Sequence, residues 1–467
     1  MLSSIVDPRG RSGGGAEGAD AMLKPQRIPT LAPGRHPIAR QSEFSSRYLW
    51  YALSLLFAAN LFNYMDRMVI SVVLPLIKAD LDLSDTQLGV LTGIAFAVFY
   101  ATFGIPIARW ADRGTRRTIV SLAIAVWSAM TVLCGMAQNF VHMMLARFGV
   151  GIGEAGCVPP SHSMISDFFP TERRATALGI HTSGATLGIV GGLVLGGFIA
   201  ETWGWRWAFF MLGAPGLLLA IVTQLTLREP TRGAYEEAAV DVPQPPLREV
   251  LRYFARRRSY VHLVIVFAMG SFAAFGIQMW LPSFYVRSFG MSTAEVGFYF
   301  GIAFGLGSAM GTLGGGYVAD WMGKGDMRKP LLILGVGASA MTLPLSLGVL
   351  LSPWAALALS LNLVSSTIGG LANGPLFAAI QTVVDNRMRA IAVAILMFSS
   401  SMIGVGLGPL FAGMLSDMLA PRFGDDSLRY SLVILSMLGV YPIVHLWLAV
   451  RALPRDAEMT AREAAAA

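Results

Sequence analysis

Four charged residues stand inside apolar stretches of the sequence: Asp66 and Arg67 in NLFNYMDRMVI (60–70), and Arg147 and Glu154 in LARFGVGIGEAG (145–156). A charge at bilayer depth costs ~2.5–3.5 kcal/mol on insertion scales, so it persists where a partner or a function offsets it. Carboxylates beside guanidiniums can bind a proton and an anion in competition, because neutralising the carboxylate frees the cation. Arg147 and Glu154 are seven residues apart, which places them on one helical face two turns from each other. Gly149, Gly151 and Gly153 between them leave room for a neighbouring helix to approach. Asp66 and Arg147 differ in expected depth by less than about 10 Å, within reach of helix tilt and a long side chain. Asp66, Arg147 and Glu154 are therefore expected to meet in one water-filled cavity, with Arg147 held by the carboxylates. Arg67 lies about 100° round the helix from Asp66 and faces a different partner.

The elements that carry these residues must be membrane helices. The chain has 467 residues, of which 54% are hydrophobic and 13% charged, and its mean hydropathy is +0.59. That is too apolar for one soluble core. Apolar runs of about 20–25 residues match helices across ~30 Å of hydrocarbon, not the short alternating strands of a barrel. The expected fold class is an all-α membrane protein. Twelve spans are expected at 49–78, 86–108, 118–137, 141–164, 175–200, 206–227, 260–286, 295–319, 330–351, 354–382, 390–416 and 429–451. An even number puts both termini on one side. With those termini in the cytoplasm, and with Lys78, Arg206, Arg429 and Arg451 at the very ends of spans counted with the segments they adjoin, 28 of the 35 Lys and Arg residues fall inside and 5 outside, leaving only Arg67 and Arg147 in span interiors. This bias fixes the expected orientation and accounts for the net charge of +7 without nucleic acid. The spans form two six-helix bundles, 49–227 and 260–451, joined by a cytoplasmic linker over 228–259 whose basic end, Arg252 to Arg258, suits an amphipathic helix on an anionic leaflet. Residues 1–48 contain no apolar signal segment and are expected to be a disordered cytoplasmic tail, with a second tail at 452–467. Cys134 and Cys157 read as core packing.

The two bundles carry repeats. ARWADRGTRR (108–117) follows span two and GYVADWMGKGDMRK (316–329) follows span eight; ERRATALG (172–179) opens span five and NRMRAIAVA (386–394) opens span eleven. Together these features resemble the major facilitator superfamily over about residues 48–451. The family's loop motif G-x-x-x-D-R-x-G-R-R is matched at Asp112, Arg113, Arg116 and Arg117, with Ala108 in place of the first glycine, and the second copy keeps Gly316 and Asp320. FNYMDR in span one, GIGEAG in span four and REPTRGA after span six resemble the Spinster-like lipid carriers more closely. That resemblance implies lysolipids or sphingolipids as cargo, moved between the halves by alternating access. Span five, GATLGIVGGLVLGGF, lacks the Gly-Pro pair often found in drug antiporters, and a Gly-Pro stands instead at Gly408 and Pro409 in span eleven.

A helix N-terminus presents free amide donors and a partial positive charge. Asp112 is therefore expected to cap span eleven and Asp320 span five, latching the cytoplasmic side, with Arg113, Arg116, Arg117, Arg174 and Lys324 as the basic members of the gate. Asn63, Tyr64, Arg67 and His181 are expected to line the cavity with Arg147. The second half offers neutral groups only, Gln278, Asn362, Asn373 and Ser400, amid Phe, Met and Leu. An Arg on one wall and a largely apolar opposite wall suit an amphiphile. The expected protein is thus a monomeric proton-coupled carrier of a small amphiphile in the plasma membrane, in contact with membrane lipids. It is expected to use the proton gradient and no cofactor or metal. The alternatives are a proton symporter of small organic anions such as sugar acids, a drug-type efflux carrier and a non-transporting sensor. No phosphate-binding loop and no nucleophilic triad points to ATP-driven export or to an enzyme.

Overall fold

Residues 44–235, 247–323, 328–385 and 388–466 are described by a computed structural model. Nearly all of the expected N-terminal tail, the middle of the linker and Lys324 lie outside them. Among the described residues the chain is helical and contains no strand. Nine helical stretches among the described residues are long and apolar enough to cross a membrane. The first helix is not among them, since Asn60, Asn63, Asp66 and Arg67 break its apolar run.

The first half comprises α1 (Ser46–Leu81), α2 (Asp85–Thr92), α3 (Ile94–Arg113), α4 (Arg116–Gly135), α5 (Phe140–Glu154), α6 (Val158–Phe168), α7 (Thr171–Trp203) and α8 (Trp205–Thr226). Side chains set several starts: Ser84 and Gln87 form a capping box at α2, and Asn139 accepts from His142 N at α5. Spans two and four are each broken. Gly93 separates α2 from α3, and residues 155–157 separate α5 from α6 directly after Glu154. Broken membrane helices place backbone groups and side chains at a midplane site. The glycines of α5 act as expected: α3 packs on Gly151 at the Phe96 carbonyl and α4 packs on Gly153 at Trp127.

The linker helix α9 (Leu247–Arg256) leads into α10 (Arg258–Phe289) and α11 (Thr293–Met322). Gly290, at a φ of +67°, ends α10 in a conformation that costs other residues strain. A π-helical turn (Leu331–Gly337) opens α12 (Ala338–Leu351), then come α13 (Ala355–Leu371), α14 (Asn373–Val383) and α15 (Arg389–Ser399). A second π-helical turn (Ser400–Leu407) leads into α16 (Gly408–Phe423), followed by α17 (Ser427–Met437) and α18 (Val440–Ala466). Val250 and Phe254 of α9 are buried with Leu263, Ile380 and Leu446, so α9 belongs to the second half and keeps Arg248, Arg252 and Arg256 exposed. Residues 452–466 of the expected tail continue α18. Buried Asp456 accepts from Ser259 N (2.7 Å) and Ser259 Oγ (2.6 Å), and Arg257 pairs with Glu463, which anchors the extension to the start of α10.

Candidate functional site

Asp66, Glu154 and Arg147 are all buried in the first half, with Arg67 beside them. Arg67 Nε and Nη2 both donate to Glu154 Oε2, at 3.1 and 2.5 Å. The Arg67 guanidinium also faces the rings of Phe96 (4.7 Å), Tyr64 (5.0 Å) and Tyr100 (5.3 Å), and Arg147 approaches the same Phe96 ring at 5.6 Å. Cations are attracted to ring faces, so Phe96 holds two guanidiniums near one centre. Asp66 accepts from Thr131 Oγ1 at 3.0 Å, and Arg147 lies within electrostatic range of both carboxylates.

The pairing differs from the sequence expectation. Glu154 is bound by Arg67, not by Arg147, and no carboxylate hydrogen-bonds the Arg147 guanidinium among the described residues. The 100° offset that turns Arg67 away from Asp66 aims it at α5, where the three rings guide it. Arg67 is the more accessible cation, its side chain 14% exposed against full burial of Glu154. With both carboxylates ionised the four charges cancel. Adding one proton leaves a net positive charge in a desolvated place, which an anion can offset.

The other expected cavity residues separate. Asn63 and His181 are buried inside the first half, while Tyr64 stays with Arg67. Gln278, Asn362 and Asn373 line a chamber of about 290 Å³ within the second half, which adjoins a more apolar lobe of about 400 Å³ bounded by Phe267, Phe275, Leu343 and Leu376. Gln278 reaches Met68, next to Arg67 in sequence, and so connects the chamber wall to α1. Ser400 pairs with Ser271 at 2.6 Å instead of facing the chamber's polar end.

The two halves are joined by polar contacts gathered at the end that the charge bias places outside. Asp85 accepts from Arg287 Nη1 and Nη2 (2.7 and 2.6 Å), Lys78 Nζ (2.6 Å) and Ser416 Oγ (2.6 Å). Asp417 accepts from Asp85 N, Thr86 N and Thr86 Oγ1, so a carboxylate of the second half caps α2. In return Glu201, at the end of α7, accepts from Thr293 N (3.0 Å) and Oγ1 (2.8 Å) at the start of α11. Gly197 and Gly297 bring α7 and α11 together there, since a Cβ on either would meet backbone of the other.

Among the described residues, the latch expected at the opposite end is not made in this conformation. Asp112 and Asp320 are exposed, and α7 and α15 begin without a side-chain cap. Arg113 is exposed, and Arg174 donates to the Ser166 carbonyl. Arg116 is buried within the first half, donating to Asp167, Ser163 Oγ (2.8 Å), Glu229 (2.7 Å) and the Pro230 carbonyl (3.0 Å); Arg117 N donates to Glu229. Arg232 donates to the Ala111 and Gly114 carbonyls. The loop motif and the REPTRGA segment thus strap each other inside one half. Sequence reasoning missed Asp85, Asp417, Glu201 and Thr293. The signal for Asp85 was its place directly after Ser84 in a capping box, with the carboxylate free to look elsewhere.

The sequence profile of the Major Facilitator Superfamily matches residues 56–409. The chain belongs to the major facilitator superfamily. This facilitator is a multi-pass membrane transporter and not an enzyme. A bacterial homologue of the human lysosomal transporter Spinster, solved in an inward-facing, unoccupied conformation, superposes with a TM-score of 0.79 at 31% identity, covering 88% of this chain and 99% of that one. The facilitator fold and the Spinster-like resemblance both stand on that match. An "MFS-type efflux pump" of Mycolicibacterium smegmatis is 34% identical over 411 residues, 88% of this facilitator and 94% of the relative. A probable L-galactonate transporter of Escherichia coli is 30% identical over 303 residues, 62% and 66% of the two chains.

Proposed function

We propose that this facilitator is a proton-coupled carrier of an amphiphile with an anionic or zwitterionic head group, of lysolipid or sphingolipid type. The observation that carries this reading is the Arg67–Glu154 pair beside Asp66 and an uncommitted Arg147. In the proposed cycle a proton enters at Asp66 and passes to Glu154, which releases Arg67; the head group of the cargo then occupies Arg67 and Arg147 while the neutral chamber and its apolar lobe receive the rest. One proton and one anionic group leave the site electrically balanced, which couples their occupancy. Closure at one end and exposure of Asp112 and Asp320 at the other support an inward-facing state, and the rocking of the halves supplies the two-state element that both ligands bias.

A second reading, a proton symporter of sugar acids, is favoured by two observations. Half of the chamber lining is polar and uncharged, including Ser308, Ser346, Asn362 and Ser365, and the L-galactonate transporter is a relative. A proteoliposome panel separates the readings, with labelled lysolipid, sphingoid phosphate and galactonate offered with and without a proton gradient. Gradient-driven movement of either lipid by wild type, lost in Arg147→Ala, is the expected result. Movement of galactonate alone would promote the symporter.

A further inference from the structure

Buried polar atoms without a hydrogen-bond partner are concentrated in the interior of the first half. They include Asn60 Oδ1, Asn63 Nδ2 and Asp66 Oδ1 on α1, Ser128 Oγ on α4, Thr223 Oγ1 on α8, and both ring nitrogens of His181 on α7. Buried polar groups in folded proteins are nearly all paired, so a series of orphans in one place marks a path that water or a moving proton serves. Asn60, Asn63 and Asp66 follow one another at three-residue steps, which makes them neighbours along one side of α1, each about 4.5 Å above the last. At the lower end Asn60 Nδ2 donates to the His181 carbonyl at 2.8 Å. The ring of His181 is fully buried and meets that of His162, on α6, edge to face with centroids 5.1 Å apart. His162 is exposed. Both histidines lie toward the end of the bundle where Asp112 is exposed and the halves are not latched.

We infer that His162 and His181, followed by water held at Asn60 and Asn63, form the proton entry path to Asp66, separate from the chamber that receives cargo. The inference rests on the proton-coupled reading and adds the route. Imidazole can accept a proton at one nitrogen and release one from the other, and neutral histidine is the form that relays. Around the His181 ring the titratable neighbour is His162; α1 contributes Asn60 and the Leu56 backbone, and no charged side chain of α1 or α6 contacts the ring among the described residues. The two histidines are positioning residues that govern how fast Asp66 is reached, not how strongly it holds its proton.

The test splits rate from equilibrium on the detergent-solubilised full chain, with no cargo needed. Proton uptake after a pH jump is followed by stopped flow with an indicator dye, and the carboxylic-acid band is titrated by infrared spectroscopy. In His181→Gln and in His162→Gln, the latter at an exposed position that the fold tolerates, the slow phase of uptake is expected to fall at least tenfold while the infrared titration stays put. Asp66→Asn removes the band itself and identifies it. Unchanged uptake rates in both histidine variants, or an infrared titration that moves together with the rate, would overturn the route while leaving the coupled reading in place. Wild-type protein with no titrating band abolished by Asp66→Asn would overturn the reading and the route together.

Discussion

Arg67→Ala is expected to lower gradient-driven transport about a hundredfold or more. Truncating one partner of a buried, hydrogen-bonded charge pair costs ~2–5 kcal/mol, and each 1.4 kcal/mol is tenfold. Two losses combine in this variant. Glu154 remains fully buried without its donor, and the cation that exchanges the carboxylate for a head group is gone. The first loss is one of stability, about 3–5 kcal/mol when a buried pair is broken on one side. The double variant Arg67→Ala with Glu154→Gln separates them, because a neutral amide at 154 no longer needs the cation. Its thermal unfolding midpoint is expected to recover most of the way to wild type while transport stays lost. Arg147→Ala, which breaks no ion pair, is expected to leave the midpoint closer to wild type and still weaken head-group binding. Recovery of transport in the double variant would show that the pair serves folding alone, and would return the exchange to Arg147.

How much of this was legible beforehand follows from the kind of force involved. The helical membrane class comes from apolar run length and basic flanks, which are local in sequence. The meeting of Asp66, Arg147 and Glu154 was legible as well, since isolated charges in apolar runs demand partners, whereas Arg67 was expected to turn to a different partner. The pairing was not legible. Depth and face narrow the choice to a few ångströms, yet the decision between Arg67 and Arg147 rests on the rings of Phe96 and Tyr100, contributed by α3 on the far side of the break at Gly93. Likewise the motif at Asp112 pointed to a latch at the cytoplasmic end, which the described residues do not make in this conformation. The device that is closed in this conformation sits at the other end, where Asp417 caps α2 and Glu201 meets α11. No motif advertises those residues, because a single carboxylate at the end of a span is ordinary in sequence and becomes a cap only when the opposite half arrives.

That closed end makes the second large prediction. Asp85→Ala is expected to shift the population toward opening at the Asp85 end by a factor of about 10²–10³. The Arg287 pair is bidentate and mostly buried, and charge-assisted hydrogen bonds contribute ~1.5–3 kcal/mol each. The Lys78 contact is discounted to under about 1 kcal/mol because that side chain is 36% exposed. Ser416 adds a further donor from the second half, so the net bias is on the order of 3–4 kcal/mol, which is the population factor given. Spin labels at exposed positions 79 and 420, read by double electron–electron resonance, report the separation of α1 from α16. Wild type is expected to show one short distance and Asp85→Ala a second, longer one. If opening at this end closes the other, Asp112 and Asp320 are then brought to the helix starts that lack caps here. Adding Asp112→Ala to Asp85→Ala should therefore draw the distribution back toward the short distance. A distribution that ignores Asp85→Ala would assign closure to the Gly197–Gly297 packing, and one that ignores Asp112→Ala in the double variant would leave the exposed carboxylates without a part in gating.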